Sequence, residues 1–184
     1  MGKTPNKLKF WWFGLITLVL GLFVTGVCYL FFSYFSNQAN DKWVKSNDNF
    51  KIQALRKTTV EFEYRFVFQT TINGSDEWRT IYIKTQDAPQ PISEKNVQII
   101  NENTGYFYFG DVFFITKDKG QTWTSFDIGK NSNFGKENSS LARIEKVDIN
   151  NDGSGMILVV NIILKNTAAF HTTDFGQSWE ESAF

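Results

Sequence analysis

The chain has 184 residues, a length typical of one domain, and its 19 basic residues balance its 19 acidic residues. The charges are unevenly placed: three lysines precede residue 10, no charged residue lies in 10–40, and 16 basic and 19 acidic residues follow. No part of the chain is dominated by Lys and Arg, which excludes a basic nucleic-acid-binding domain. The single Cys excludes a disulfide framework within the chain.

Residues 10–35 form an uninterrupted apolar segment. These 26 residues carry no charge, with paired Trp residues near one end and Tyr residues near the other. As a helix rising about 1.5 Å per residue, the segment exceeds the roughly 30 Å hydrocarbon core of a bilayer. The sequence therefore predicts a transmembrane helix over 10–35 that follows a basic cytoplasmic tip over 1–9. By the positive-inside rule, the protein is a single-pass inner-membrane protein whose C-terminal part is periplasmic.

Two other interpretations of this segment stay open, a cleaved signal peptide and lipid modification at Cys28. The segment is longer than the roughly 7–15 apolar residues of a signal peptide. Bulky Leu30, Phe31 and Phe32 occupy positions where cleavage requires small residues. Val27 stands directly before Cys28, where lipid modification requires a small residue. These features favour an uncleaved anchor.

The rest of the chain predicts an all-β domain over 50–184, joined to the anchor by a polar linker over 36–49. Residues 60–69 carry an apolar side chain at every even position, which is typical of a half-buried antiparallel strand. Asn73-Gly74 is a hairpin signal, and 79–84 returns as the next strand. Further strand-like runs occupy 97–100, 106–109, 112–116, 122–127, 143–149, 156–164, 168–172 and 178–181. Residues 85–95 read as a loop, and 132–144 leave room for one short helical turn. The predicted fold class is mostly β.

An eight-residue motif occurs twice in this domain, at 116–123 and at 172–179, with an offset of 56 residues. Its Asp can accept hydrogen bonds from its own turn, and its Gly suits a positive φ. Its hydroxyl residues can tie the ends of the loop, and its Trp enters the next strand as an apolar anchor. All of these roles are structural. The residues concerned are Thr116, Asp118, Gly120, Thr122 and Trp123 in the first copy, and Thr172, Asp174, Gly176, Ser178 and Trp179 in the second.

These octets resemble the Asp-box, or BNR repeat, found on hairpins of sialidases, sortilin-type receptors and other β-propellers. Residues 71–78 resemble a degenerate third copy that keeps Thr71, an Asn in place of the Asp, and Trp78. Two or three such units cannot close a ring, so the resemblance implies a partial propeller, a meander or a sandwich. It does not imply sialidase activity, since that family requires an arginine triad gathered by six blades. The available arginines are Arg56, Arg65, Arg79 and Arg143.

A second turn has the residue types of a calcium loop. Asp148, Asn150 and Asp152 alternate before a Gly, but Val159 stands at the twelfth position, where a bidentate Glu is expected. The sequence favours an ordinary hairpin turn, with these three residues kept as weak metal candidates and no cofactor expected.

The remaining polar candidates favour structural roles. His171 has no second His for a metal and no Cys nucleophile in the same domain, which favours a packed or edge-strand histidine. Glu61 and Glu63 share a strand face with Arg65, an arrangement more typical of a solvated face than of a catalytic pair. No catalytic residue is assigned, and the chain is predicted not to be an enzyme.

A basic tip, one anchor and a small Asp-box domain together resemble type VI secretion immunity proteins that neutralise lipase-type effectors. The resemblance implies a binding protein that blocks a secreted lipase-type toxin sterically. Two alternatives stay open. One is an accessory or assembly factor of a membrane complex, similar to photosystem assembly proteins built from such repeats. The other is a non-catalytic, glycan-binding remnant of a sialidase-like domain.

Overall fold

The computed structural model of the chain describes residues 21, 24–27, 40–58, 63–87, 90, 92–138 and 141–183. The chain divides into two compact units, Met1–Asn40 and Asp41–Phe184. In the first unit, Gly21 and residues 24–27 are helical, whereas Cys28, the tip over 1–9 and the rest of the predicted segment over 10–35 lie outside the described residues. Among the described residues, no helix has the length and apolar character needed to span a bilayer.

Three four-stranded antiparallel sheets make up the β-domain, and within each sheet every strand pairs with its neighbours in sequence. The structure thus confirms a mostly β fold built of antiparallel hairpins. The first sheet contains β1 (Asn40–Ser46), β2 (Lys51–Thr58), β3 (Tyr64–Thr70) and β4 (Arg79–Gln86). The second contains β5 (Val97–Ile99), β6 (Gly105–Phe109), β7 (Val112–Thr116) and β8 (Thr124–Asp127). The third contains β9 (Ala142–Ile149), β10 (Gly155–Asn161), β11 (Thr167–Thr172) and β12 (Glu180–Ala183).

Short helical segments lie between the sheets. A 3₁₀ turn (Glu94–Asn96) precedes β5, and two helices, α1 (Ile128–Asn131) and α2 (Asn133–Asn138), connect the second sheet to the third. The sequence predicts at most one short turn over 132–144, so the helical connection begins earlier than expected. The reason is local: the Asp127 side chain accepts a hydrogen bond from the backbone N–H of Lys130 and caps α1.

The second sheet lies between the other two, because both of its faces are buried. On one face, Phe107 stacks on Phe68 of the first sheet with ring centroids 4.5 Å apart. On the other face, Phe113 belongs to a buried cluster that includes Ile157 and Phe170 of the third sheet. The three sheets therefore pack face to face in chain order, with one apolar cluster at each junction.

The two ends of the stack differ in the connections they hold. One end, here called the box end, holds the β1–β2, β3–β4 and β7–β8 connections and their counterparts in the third sheet. Adjacent sheets meet there: the Asn47 side chain of the first sheet donates to Asn101 O of the second at 3.0 Å, and the Lys119 side chain of the second donates to Asn49 Oδ1 of the first at 3.3 Å. The opposite end, here called the tip end, holds the β6–β7 and β10–β11 connections. Since β1 runs toward the box end, the chain enters the domain at the tip end.

Strand β1 occupies 40–46, inside the segment that the sequence analysis treats as a linker over 36–49. The period-2 alternation of this strand depends on a single large apolar residue, Trp43. Its side chain packs against the apolar cluster between the first two sheets. Strand β2, at Lys51–Thr58, is also absent from the predicted strands. In β2 the inward residues Ile52 and Ala54 are buried between polar neighbours.

Strand β10 ends at Asn161, three residues before the end of the strand predicted over 156–164. The Asn161 side chain accepts hydrogen bonds from the backbone N–H groups of Ile163 and Leu164, both at 2.8 Å. These bonds turn the chain out of the sheet, as Asn side chains do in turns. Three apolar residues that the periodicity assigns to a strand therefore form an exposed hairpin tip.

Candidate functional site

The two octets form closed hydrogen-bond networks at the box end. Asp118 Oδ1 accepts from Thr116 Oγ1 at 2.8 Å and from Thr122 N at 2.8 Å, and its Oδ2 accepts from Thr122 Oγ1 at 2.5 Å. Thr116 Oγ1 in turn accepts from Gly120 N at 3.0 Å. Each carboxylate oxygen is thus engaged by the loop to which it belongs.

The second octet repeats this network. Asp174 accepts from Thr172 Oγ1 at 2.8 Å, from Gln177 N at 2.9 Å and from Ser178 Oγ at 2.6 Å. Burial raises the pKa of Asp174, but the hydrogen bonds from Ser178, Thr172 and Gln177 outweigh it and bring the pKa to about 2. The pKa of Asp118 is lowered by the same balance of causes. Both aspartates are therefore held ionised by donors.

The glycines and tryptophans of the octets also have structural roles. Gly120 and Gly176 adopt φ values of +84° and +77°, which favour glycine. Trp123 lies 5.1 Å from Phe107 between ring centroids, and Trp179 lies 5.5 Å from Phe113. Each Trp thus adds to the apolar cluster between its own sheet and the preceding sheet.

The connection between β3 and β4 occupies the same place in the first sheet but is bonded differently. Thr71 is fully buried and accepts from Lys51 N at 2.9 Å instead of from its own loop. Asn73 accepts from the Gln121 side chain of the first octet at 3.3 Å. Positive φ values fall on Asn73 and Gly74, one position earlier in the loop than in the octets. Residues 71–78 therefore share the position of the octets but lack their closed network.

The calcium-like turn is satisfied by its own residues. Asp148 pairs with Lys146 at 3.1 Å, the Asn150 side chain donates to Ser154 Oγ at 3.0 Å, and Asp152 accepts from Ser154 N at 2.9 Å. Asp148 and Asn150 line a cleft of about 460 Å³ between the second and third sheets. In the described part of the chain, no three His, Cys, Asp or Glu side chains are grouped as metal ligands.

The four arginines lie in different places. Arg56 pairs with Asp41, and Arg65 is exposed on β3. Arg79 donates to Gln121 O at 3.2 Å at the box end. Arg143 pairs with Glu145 at 3.3 Å and lines two neighbouring cavities of about 220 and 240 Å³. Neither cavity is lined by a second arginine, whereas the sialidase-like alternative requires at least two arginines in one pocket.

Comparisons with protein-family models, curated proteins and solved structures found no match to this chain. Functional candidates therefore come from the surface of the β-domain itself. His171 is exposed on β11, and Glu63 precedes β3, while Glu61 lies outside the described residues.

The outer face of the first sheet, the face turned away from the second sheet, is the first candidate surface. Leu55, Val67 and Ile83 are direct cross-strand partners and form an apolar row over three strands. Val44 extends this surface on β1, because its neighbour Trp43 faces the opposite, buried side. Val44 and Ile83 are 43% and 44% exposed. On the same surface, the Lys42 ammonium lies 5.9 Å from the centre of the Trp78 ring.

The outer face of the third sheet is less apolar at equivalent positions. At the octet offset, Phe113 and Ile115 of the second sheet correspond to Ala169 and His171 of the third. The two residues of the second sheet are buried against the third, whereas His171 is exposed to solvent. The outer face of the third sheet is thus less apolar than the buried face to which it corresponds, as expected for the last sheet of a stack.

The hairpin tip between β10 and β11 is the second candidate surface. Ile162, Ile163 and Leu164 are 52%, 64% and 69% exposed and follow one another in sequence. Sequence analysis misses both surfaces, because apolar residues in strand-like runs are read as core. The sequence signal that could have revealed the tip is the presence of turn-forming residues on both sides of it: Asn161 precedes it and Lys165-Asn166 follows it.

Proposed function

We propose that this chain is a membrane-anchored periplasmic binding protein, whose β-domain covers a protein partner with the outer face of its first sheet. The observation that carries the proposal is the pair of exposed residues Val44 and Ile83, which lie on the two edge strands of an apolar row with half-buried Leu55 and buried Val67 between them. The corresponding face of the second sheet is covered by the first sheet, and that of the third sheet is covered by the second. The first sheet has no preceding sheet in the described part of the chain, so a partner can supply the missing cover.

The surface has the composition of a protein interface. Its centre is apolar, and beside it Gln53 donates to Gln69 at 2.7 Å and Gln69 donates to Thr80 at 3.1 Å. Lys42 and Trp78 add a cation beside an aromatic ring. An apolar centre bordered by polar groups and an aromatic anchor is the usual arrangement of a specific binding site.

The partner class follows from the proposed architecture. A domain tethered outside the inner membrane, with no catalytic group assigned to it, acts by occupying a surface of another protein. We propose that the partner is a type VI secretion effector of the lipase class, and that binding neutralises it by steric occlusion.

Competition between strains tests the proposal. A strain that lacks this chain is expected to lose fitness against toxin-delivering kin, and the wild-type chain is expected to restore it. The variant Val44→Asp/Ile83→Asp should fail to protect and should bind the purified toxin at least about 30-fold more weakly, about 2 kcal/mol. Both positions are exposed, so the fold should be retained, which circular dichroism checks.

Ile163→Asp is the matched control, because it makes the same chemical change on an exposed residue of another surface. Toxin affinity should stay at the wild-type value in this variant. Equal fitness of the deletion strain in direct competition would contradict the immunity role. Unchanged toxin affinity in Val44→Asp/Ile83→Asp would contradict the assignment of the surface. Co-purification with a resident membrane complex, in the absence of any attacker, would instead favour an assembly factor.

A further inference from the structure

The hairpin tip exposes three consecutive aliphatic side chains on a rigid support. Ile162, Ile163 and Leu164 are each more than half exposed. Asn161, which begins the turn, is 1% exposed, and its side chain holds the backbone of the next residues from inside the domain. The exposed residues are therefore fixed in place by a buried one.

The backbone donors of the tip are all satisfied within the domain. Ile162 N donates to Leu141 O at 3.2 Å, and Lys165 N donates to Asn161 O at 2.9 Å. Ile163 N and Leu164 N donate to the Asn161 side chain. A segment that enters hydrocarbon must satisfy its N–H groups internally, since lipid chains offer no acceptors. This segment meets that condition before any partner is present.

The position of the tip in the fold matches a lipid surface. Strand β1 begins at the tip end, so the N-terminal end of the β-domain lies at the same end as the tip. Lys165 directly follows the aliphatic residues, and an ammonium group at that position can reach lipid phosphates while the neighbouring side chains contact acyl chains.

We infer that the Ile162–Leu164 tip is a lipid-contacting element that inserts into the outer leaflet of the membrane. The inference rests on the membrane anchor of the proposed function, and it adds a second attachment point that fixes the orientation of the domain. The box end then faces away from the membrane. Aliphatic side chains that leave water for the acyl region supply the driving force.

Site-specific fluorescence tests this inference on the full chain. The variant Cys28→Ser/Leu164→Cys carries an environment-sensitive fluorophore at the tip and is reconstituted into vesicles of equal parts phosphatidylcholine and phosphatidylglycerol. The label is expected to be quenched by brominated lipids and protected from iodide. A label at exposed Gln177, introduced as Cys28→Ser/Gln177→Cys at the box end, is the matched control and should remain open to iodide. Adding Ile163→Ser should lower the ratio of molecules whose tip contacts lipid to molecules whose tip is in water by about tenfold.

Flotation of the same vesicles separates the two proposals. If the chain floats but labels at 164 and 177 are equally open to iodide, the tip inference is overturned and the anchor stands. If the chain does not float and the tip label stays in water, both the anchor and the tip inference are overturned. A tip label that becomes protected only when a protein partner is added overturns lipid contact and assigns the tip to a protein interface.

Discussion

Replacing Asp174 by Asn removes one carboxylate oxygen from the second octet while keeping the shape of the side chain. The pKa of Asp174 lies at about 2 in the folded chain, below the ordinary value of 3.8. A difference of this size corresponds to roughly 2.4 kcal/mol between the two protonation states. Because the side chain is partly open to solvent, screening reduces the expected loss in Asp174→Asn to about 1–1.5 kcal/mol.

The sign of the pH dependence follows from the lowered pKa. A carboxyl group whose pKa is depressed by folding contributes its full stability above the unfolded-state value of 3.8, and this contribution is lost as the pH falls through about 2. The difference between wild type and Asp174→Asn should therefore be largest at neutral pH. It should shrink steadily as the pH falls from about 4 toward 2.

Urea unfolding followed by tryptophan fluorescence measures this difference at each pH. At neutral pH, the expected loss also lowers the Tm by about 2–6 °C. Glu102→Gln, an exposed change in the β5–β6 turn, is the control and should leave the unfolding midpoint unchanged. A loss that is equal at pH 7 and near pH 2.5, or no loss at all, would refute the view that donors to the ionised carboxylate hold the octet closed.

Four further changes test other parts of the fold by urea unfolding. Gly120→Ala should cost about 2–4 kcal/mol, because φ is +84° and a Cβ would lie 2.6 Å from a hydroxyl oxygen at the end of β3. Gly74→Ala, at φ +73° but with its nearest neighbour at 3.7 Å, should cost only about 1 kcal/mol, and equal costs would contradict the close approach. Phe107→Ala should cost about 3–5 kcal/mol by opening a cavity between the first two sheets, and a cost below about 1 kcal/mol would argue against the stacked order of the sheets. Asn161→Ala should cost about 1–3 kcal/mol and speed hydrogen exchange of the two tip amides, and unaltered exchange would mean that the side chain does not hold the tip.

The octets and most strands could be predicted because each has a local cause. An Asp, a Gly and hydroxyl residues at fixed spacing specify the turn, and the Trp marks where the next strand begins. Strand β7 begins and ends where its alternation predicts, at 112 and 116. Strands of this kind carry their signal in their own sequence, since period-2 burial decides both the conformation and the face.

The candidate surfaces could not be predicted, because they depend on packing between elements distant in sequence. Val44 and Ile83 have the same alternation as core residues, and only the order of the three sheets leaves them on an outer face. The tip residues extend an apolar run, and only the hydrogen bonds of buried Asn161 turn them outward. Strand β1 carries too few apolar residues for its alternation to be recognised without its partner β2.

The pairing of each strand with its neighbours in sequence has a consequence for how the domain is made. During synthesis the chain emerges from its N-terminus, and within each sheet a new strand can pair at once with the strand that precedes it. No strand must wait for a distant partner, which favours rapid folding for an all-β protein. In the second and third sheets, the octet lies in the last hairpin to emerge. Its network therefore closes each sheet after the other strands are in place, and a nascent sheet stays open for rearrangement until its own Asp and Trp have emerged.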